Sequence, residues 1–99
     1  MISKELLSTV IGIEVINFSL GGYFIEYSAV GILRDINIFE LAHKCKELLI
    51  KKGYFFDISH STMGLDCRVI VYGKGIKEYF IADTEEEAIF KACEWVIKQ

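Results

Sequence analysis

The chain has 99 residues, 53% hydrophobic and 25% charged, enough for one domain over 1–99 that buries roughly 60 to 65% of its unfolded surface without disulfide or metal staples. A net charge of −3 with no basic stripe argues against a dedicated nucleic-acid binder, because phosphate is met by clustered Lys and Arg, and a DNA mimic would be far more acidic. No run is long enough to span a membrane, and the opening MISKELLSTVIG mixes Lys4 and Glu5 into its apolar residues, unlike a signal peptide.

In chain order, residues 3–10 predict a short helix with Leu6, Leu7 and Val10 on one side, closed by Gly12. Residues 13–18 and 23–30 are β-rich runs around the turn Ser19-Leu20-Gly21-Gly22 and read as a hairpin. Residues 31–36 lead onward and have room for a further short strand.

The best-specified helix follows, NIFELAHKCKELLIKKG over 37–53. Asn37 as N-cap with Glu40 three positions on makes a capping-box pattern, and Gly53 stands where a C′ glycine ends a helix. Ile38, Leu41, Ala42, Cys45, Leu48 and Leu49 gather on one face, with Glu40, Lys44, Glu47 and Lys51 opposite as Glu-to-Lys pairs one turn apart. Between them runs a flank stripe, Phe39, His43, Lys46 and Ile50, too apolar for a solvated side.

Past Gly53 the period changes from helical to alternating. Residues 54–59 and 66–72 predict strands around a loop at 60–65, and 76–82 predicts a strand paired with its predecessor through the turn Gly73-Lys74-Gly75. Asp83 or Thr84 caps a final helix over 85–98, with Glu85, Glu86 and Glu87 in its first turn, where the helix dipole favours negative charge. The fold class is α+β: a single small α/β sandwich, order α-β-β-α-β-β-β-α, with a mostly antiparallel sheet and helices packed on it. Ala88, Ala92, Trp95 and Val96 share a helix side, which places Trp95 against the sheet. The strands are apolar on both faces, so two helices can cover one face, and the other needs the N-terminal helix or another subunit.

The two long helices echo each other 47 residues apart, FELAHKCKELLIKK against EEAIFKACEWVIKQ. Any capped helix on a sheet acquires such a pattern, and the strands do not align at the same offset. The last helix carries its own flank stripe, Phe90 and Ile97 with Cys93 beside them. If the helices lie side by side, one stripe faces the neighbour and the other faces outward. The predicted interface residues are therefore Phe39, His43 and Ile50 or Phe90 and Ile97, and a homodimer would bury such a strip against its own copy.

Converging chemistry is sparse. His43 and Cys45 diverge on their helix, which disfavours a nucleophilic pair. Cys45, Cys67 and Cys93 are odd in number and widely spaced, each on an apolar face, which favours reduced, buried thiols and a cytoplasmic protein. Two histidines and three scattered cysteines offer no metal-ligand spacing, and the glycine pairs Gly21-Gly22 and Gly73-x-Gly75 are turns, lacking a phosphate loop's context. No cofactor is implied. The polar stretch HSTMGLDCR is the one place for a site, with His60, Asp66 and Arg68 as ligand-binding candidates and Arg68 as the anion contact, although ordinary turn chemistry accounts for the stretch without a site.

The segment INIFELAHKCKELLIKKGY, a following strand hairpin, and the ending YFIADTEEEAIFKACEWVIKQ together resemble small uncharacterised phage and prophage proteins of the phage ABA-sandwich type, over about residues 37–99. The most specific part is the junction Ala82-Asp83-Thr84 through Ala88, with Ala92 and Cys93 behind it. The resemblance implies an α/β sandwich and a mobile-element accessory protein; no catalytic residues carry across. The expected function is a non-enzymatic protein that binds a protein partner, such as a host-defence component. Alternatives are a small-ligand, nucleotide-like binding domain using the 59–68 loop and, behind it, a hydrolase.

Overall fold

The computed structural model describes residues 3–12, 15–19, 24–27, 33–35, 38–60 and 66–99, with backbone alone at 16–19, 24–27 and 33–35. Helix α1 (Lys4–Ile11) starts where Ser3 Oγ accepts the Leu6 N–H at 3.1 Å and ends at left-handed Gly12, whose N–H donates to the Ser8 carbonyl. Leu6 and Leu7 are fully buried beneath it.

Strands β1 (Val15–Ser19), β2 (Phe24–Tyr27) and β3 (Leu33–Asp35) form an antiparallel meander in that order, with a bulge between Val15 and Asn17. The hairpin of the first two is the one the sequence predicts; its turn at 20–23 lies outside the described residues. The short strand for which 31–36 left room is β3, so the element order gains one strand. The Val15 N–H donates to Ser8 Oγ at 3.0 Å, pinning this sheet to α1.

Helix α2 (Ile38–Lys51) buries Leu41, Ala42, Cys45, Leu48 and Leu49. Its cap at Asn37 falls outside the described residues. Its end is set by Gly53 at φ 89°: the Gly53 N–H donates to the Ile50 carbonyl and the Tyr54 N–H to the Leu49 carbonyl, both at 3.0 Å. That pair of bonds is a Schellman motif, and the buried Tyr54 and Leu49 supply its apolar contact.

Strands β4 (Phe55–His60), β5 (Cys67–Gly73) and β6 (Ile76–Ala82) form a second antiparallel sheet, order β4-β5-β6. Gly73 pairs with Ile76 across Lys74 (φ 52°) and Gly75 (φ 78°). Two positive φ values in a two-residue loop make a type I′ turn, whose twist matches the strands it joins. A Cβ at Gly73 would stand 3.1 Å from the Gly53 carbonyl oxygen, so the turn needs glycine where it meets the end of α2.

Helix α3 (Glu85–Val96), capped by Thr84 Oγ1 on the Glu87 N–H at 3.2 Å, packs on β5 and β6 with one side and on α2 with another. Ala88 and Ala92 let it approach closely, above Val69 and Val71. Trp95 lies edge-on to Tyr54 (6.2 Å) and tilted over Phe80 (6.0 Å), against the sheet as its helix position predicts.

One expectation about cover is corrected. Helix α1 packs on α2 and β1, so it does not close the far side of the β4–β6 sheet. Cys45, Cys67 and Cys93 are free, buried thiols. Cys93 Sγ donates to the Cys45 carbonyl at 3.2 Å, which ties α3 to α2.

Candidate functional site

Because the type I′ turn makes Gly73 and Ile76 a hydrogen-bonded pair, the register of the whole sheet follows. Cys67, Val69 and Val71 point inward and are buried, and Arg68, Ile70 and Tyr72 point away from the helices. Pairing then arranges the outer face in rows: Phe55, Tyr72 and Lys77; Asp57, Ile70 and Tyr79; Ser59, Arg68 and Ile81.

This face is open. Phe55 is 64% exposed, Tyr79 53% and Ile81 49%, with Tyr72 beside them. The Phe55 and Tyr72 rings stack at 5.8 Å and 26°, and Lys77 Nζ stands 5.7 Å from the Tyr79 ring centre. At ordinary strand spacing the rows cover roughly 14 Å by 17 Å, in which Phe55, Ile70, Tyr72, Tyr79 and Ile81 form a contiguous apolar group among Asp57, Ser59, Arg68 and Lys77.

The structure does not bring the three ligand-site candidates to one face. Arg68 stands on the open face between Ser59 and Ile81, whereas His60 shares the opposite side with Phe56 and Ile58 and pairs with Cys67. Asp66 precedes β5, half-buried, and 61–65 lie outside the described residues. Burial, then the charges of Glu85, Glu86 and Asp66, pushes the Cys67 thiol up, which keeps it a neutral core group and a poor nucleophile. A cleft of about 150 Å³ opens elsewhere, between α1 and α2, lined by Thr9, Val10, Lys44, Glu47, Leu48 and Lys51. It is smaller than the roughly 300 Å³ from which small-molecule pockets start. Among the described residues, no three His, Cys, Asp or Glu side chains come close enough to hold a metal ion.

The two flank stripes part company. Phe39 and Ile50 are 65% and 62% exposed, and exposed His43 sets Nε2 2.8 Å from Glu47 Oε1. Phe90 is 3% exposed within the core cluster, and half-buried Ile97 packs against that cluster. As interface candidates, Phe90 and Ile97 are thus corrected to buried and half-buried positions, because α3 lies broadly on two strands as well as on α2.

Two polar ties went unforeseen. Glu94 accepts from the Ser3 N–H (2.6 Å) and Ser3 Oγ (3.0 Å), joining the start of α1 to α3, and Lys91 Nζ donates to the Ile81 carbonyl at 2.8 Å. Both residues sit on the helix side that periodicity assigns to solvent, so only tertiary placement reveals them. No protein-family model matches the chain, and no curated protein or solved structure matches it.

Proposed function

We propose that this chain is a small non-enzymatic binding protein that docks a protein partner on the open face of β4, β5 and β6. The observation that carries the reading is the contiguity of Phe55, Tyr72, Ile70, Tyr79 and Ile81 on a face that no described element covers. Ile70 stands at the centre of the face with aromatic side chains around it, and the charged Asp57, Arg68 and Lys77 lie at its margins, an apolar centre with a polar rim as protein interfaces usually have. The phage or mobile-element setting, including action on a host-defence protein, rests on the resemblance over 37–99. The cytoplasmic reading is supported by three unpaired buried thiols, and no helix among the described residues is long and apolar enough to cross a membrane.

The test is a pull-down with the wild type beside a Tyr79→Lys/Ile81→Lys double variant whose circular dichroism matches it. A partner held by the first and lost by the second is expected; the same partner held equally by both would remove the open face from the reading. A nucleotide-like ligand remains the second reading, since Arg68 lies on a face with three aromatic rings. A nucleotide-induced rise in melting temperature that disappears in Arg68→Ala would put it first.

A further inference from the structure

The edges of the β4–β6 sheet differ in what guards them. Hydrogen-bonded and non-bonded pairs alternate from the Gly73–Ile76 pair, so Lys77, Tyr79 and Ile81 turn their backbone groups outward from β6, and Phe56, Ile58 and His60 turn theirs outward from β4. The β6 edge is defended: Lys91 takes the Ile81 carbonyl, and the strand itself carries Lys77 and Glu78. On the β4 line the Tyr54 N–H is used by the end of α2. Beyond it, the strand FFDISH has no lysine or proline, and among the described residues no strand pairs with its outer side. An unguarded edge of this kind is a template for another strand.

We propose that β4 pairs antiparallel with β4 of a second copy of this chain, centred on Ile58, so that the three-stranded sheet continues across a twofold axis. The sequence is self-complementary in that register. Ile58 faces Ile58 of the second copy and Phe56 faces its His60, each as a hydrogen-bonded pair, so all three outward-turned residues of both chains are used. On the open face, Asp57 then meets Ser59 of the second copy. Moving the centre to residue 57 would oppose Asp57 to itself, a like-charge pair that disfavours that register. Pairing at this edge leaves the rows of Tyr72, Tyr79 and Ile81 uncovered, so dimerisation and docking on the open face are separate events with separate tests.

The experiment is sedimentation equilibrium on the wild type, Ser59→Asp and Ser59→Lys. Ser59 is exposed, so both variants should keep the wild-type circular dichroism. The wild type should dimerise at micromolar to submillimolar concentration. Ser59→Asp, which opposes two carboxylates twice per dimer, should weaken association roughly fivefold or more, and Ser59→Lys, which opposes Lys to Asp57, should tighten it. An equimolar mixture of Asp57→Cys and Ser59→Cys proteins should form a mixed disulfide dimer faster than either alone, because non-bonded antiparallel pairs hold Cα atoms at about 4.5 Å. A wild type monomeric throughout that range overturns the proposal. So does a dimer that responds alike to both charges at position 59, or one abolished by Phe39→Glu and indifferent to Ser59→Asp, which would place the contact on α2.

Discussion

Helices α2 and α3 carry nearly the same pattern of side chains, and the fold treats them oppositely. Position 43 of α2 and position 90 of α3 correspond in the echo; His43 stands in solvent and Phe90 is buried to 3%. The corresponding Ile50 and Ile97 divide the same way, 62% exposed against half-buried on the core cluster. The flank stripe alone therefore does not decide burial. What decides it is how much of the sheet each helix covers: α3 lies broadly on β5 and β6 as well as against α2, whereas α2 has α3 and α1 beside it and touches the sheet chiefly at β4.

The sharpest way to break that contrast is to truncate the buried member. Phe90→Ala should cost about 3 to 5 kcal/mol in chemical denaturation, because it leaves a cavity in the core. A loss below about 1 kcal/mol would mean that α3 is not the doubly packed helix. At the end of α2, Gly53→Ala should cost about 1 to 2 kcal/mol, since the Schellman motif holds this position at φ 89° where an L side chain is strained; an unchanged midpoint would remove that motif from the account.

A third measurement addresses the seam between the helices. Hydrogen bonding to Cys45, then burial, pushes the Cys93 thiol far up from the ordinary thiol value of 9.0. A thiol whose folded pKa lies above its unfolded value stabilises the fold fully below the unfolded value, and that contribution is lost as pH rises toward the folded one. Stability should thus decline above about pH 9.0, by up to about 1.4 kcal/mol per pH unit. The Cys93→Ala variant, weaker at neutral pH, should show a shallower alkaline decline; parallel declines would assign the effect to other groups. The smallest effect is expected on the solvent side of the comparison. Phe39→Ala should leave stability within about 0.5 kcal/mol of wild type, as exposed positions usually do, and a loss above about 2 kcal/mol would place the α2 stripe in the core.

The elements themselves were legible from local chemistry. Ser3, Gly12, Gly53 and Thr84 announce helix ends because caps are short-range, and Gly73-Lys74-Gly75 announces a hairpin because the turn demands positive φ at its two central residues. The open face was legible only in part. Alternation at 68–72 and 77–81 divides each strand into two sides, and both sides are apolar, so the sequence does not say which one the helices take. The candidate site was legible least. His60, Asp66 and Arg68 are close along the chain, yet strand geometry turns His60 and Arg68 to opposite faces. Conversely, Ser3 and Glu94 are 91 positions apart and hydrogen-bonded, a contact no local pattern encodes.

The double packing of α3 also orders events during synthesis. Its twelve residues follow every other described element in the chain, so a nascent chain that has reached Ala82 has both hairpins of the β4–β6 sheet available and only α2, which reaches β4, to lay over them. Val69, Val71 and the inner side of α2 remain wet until 85–96 emerges, and in that interval the growing chain presents two apolar surfaces where the finished fold presents one. Folding units close only when their last element is made, which makes this the stage at which the chain would engage a chaperone or aggregate with its neighbours.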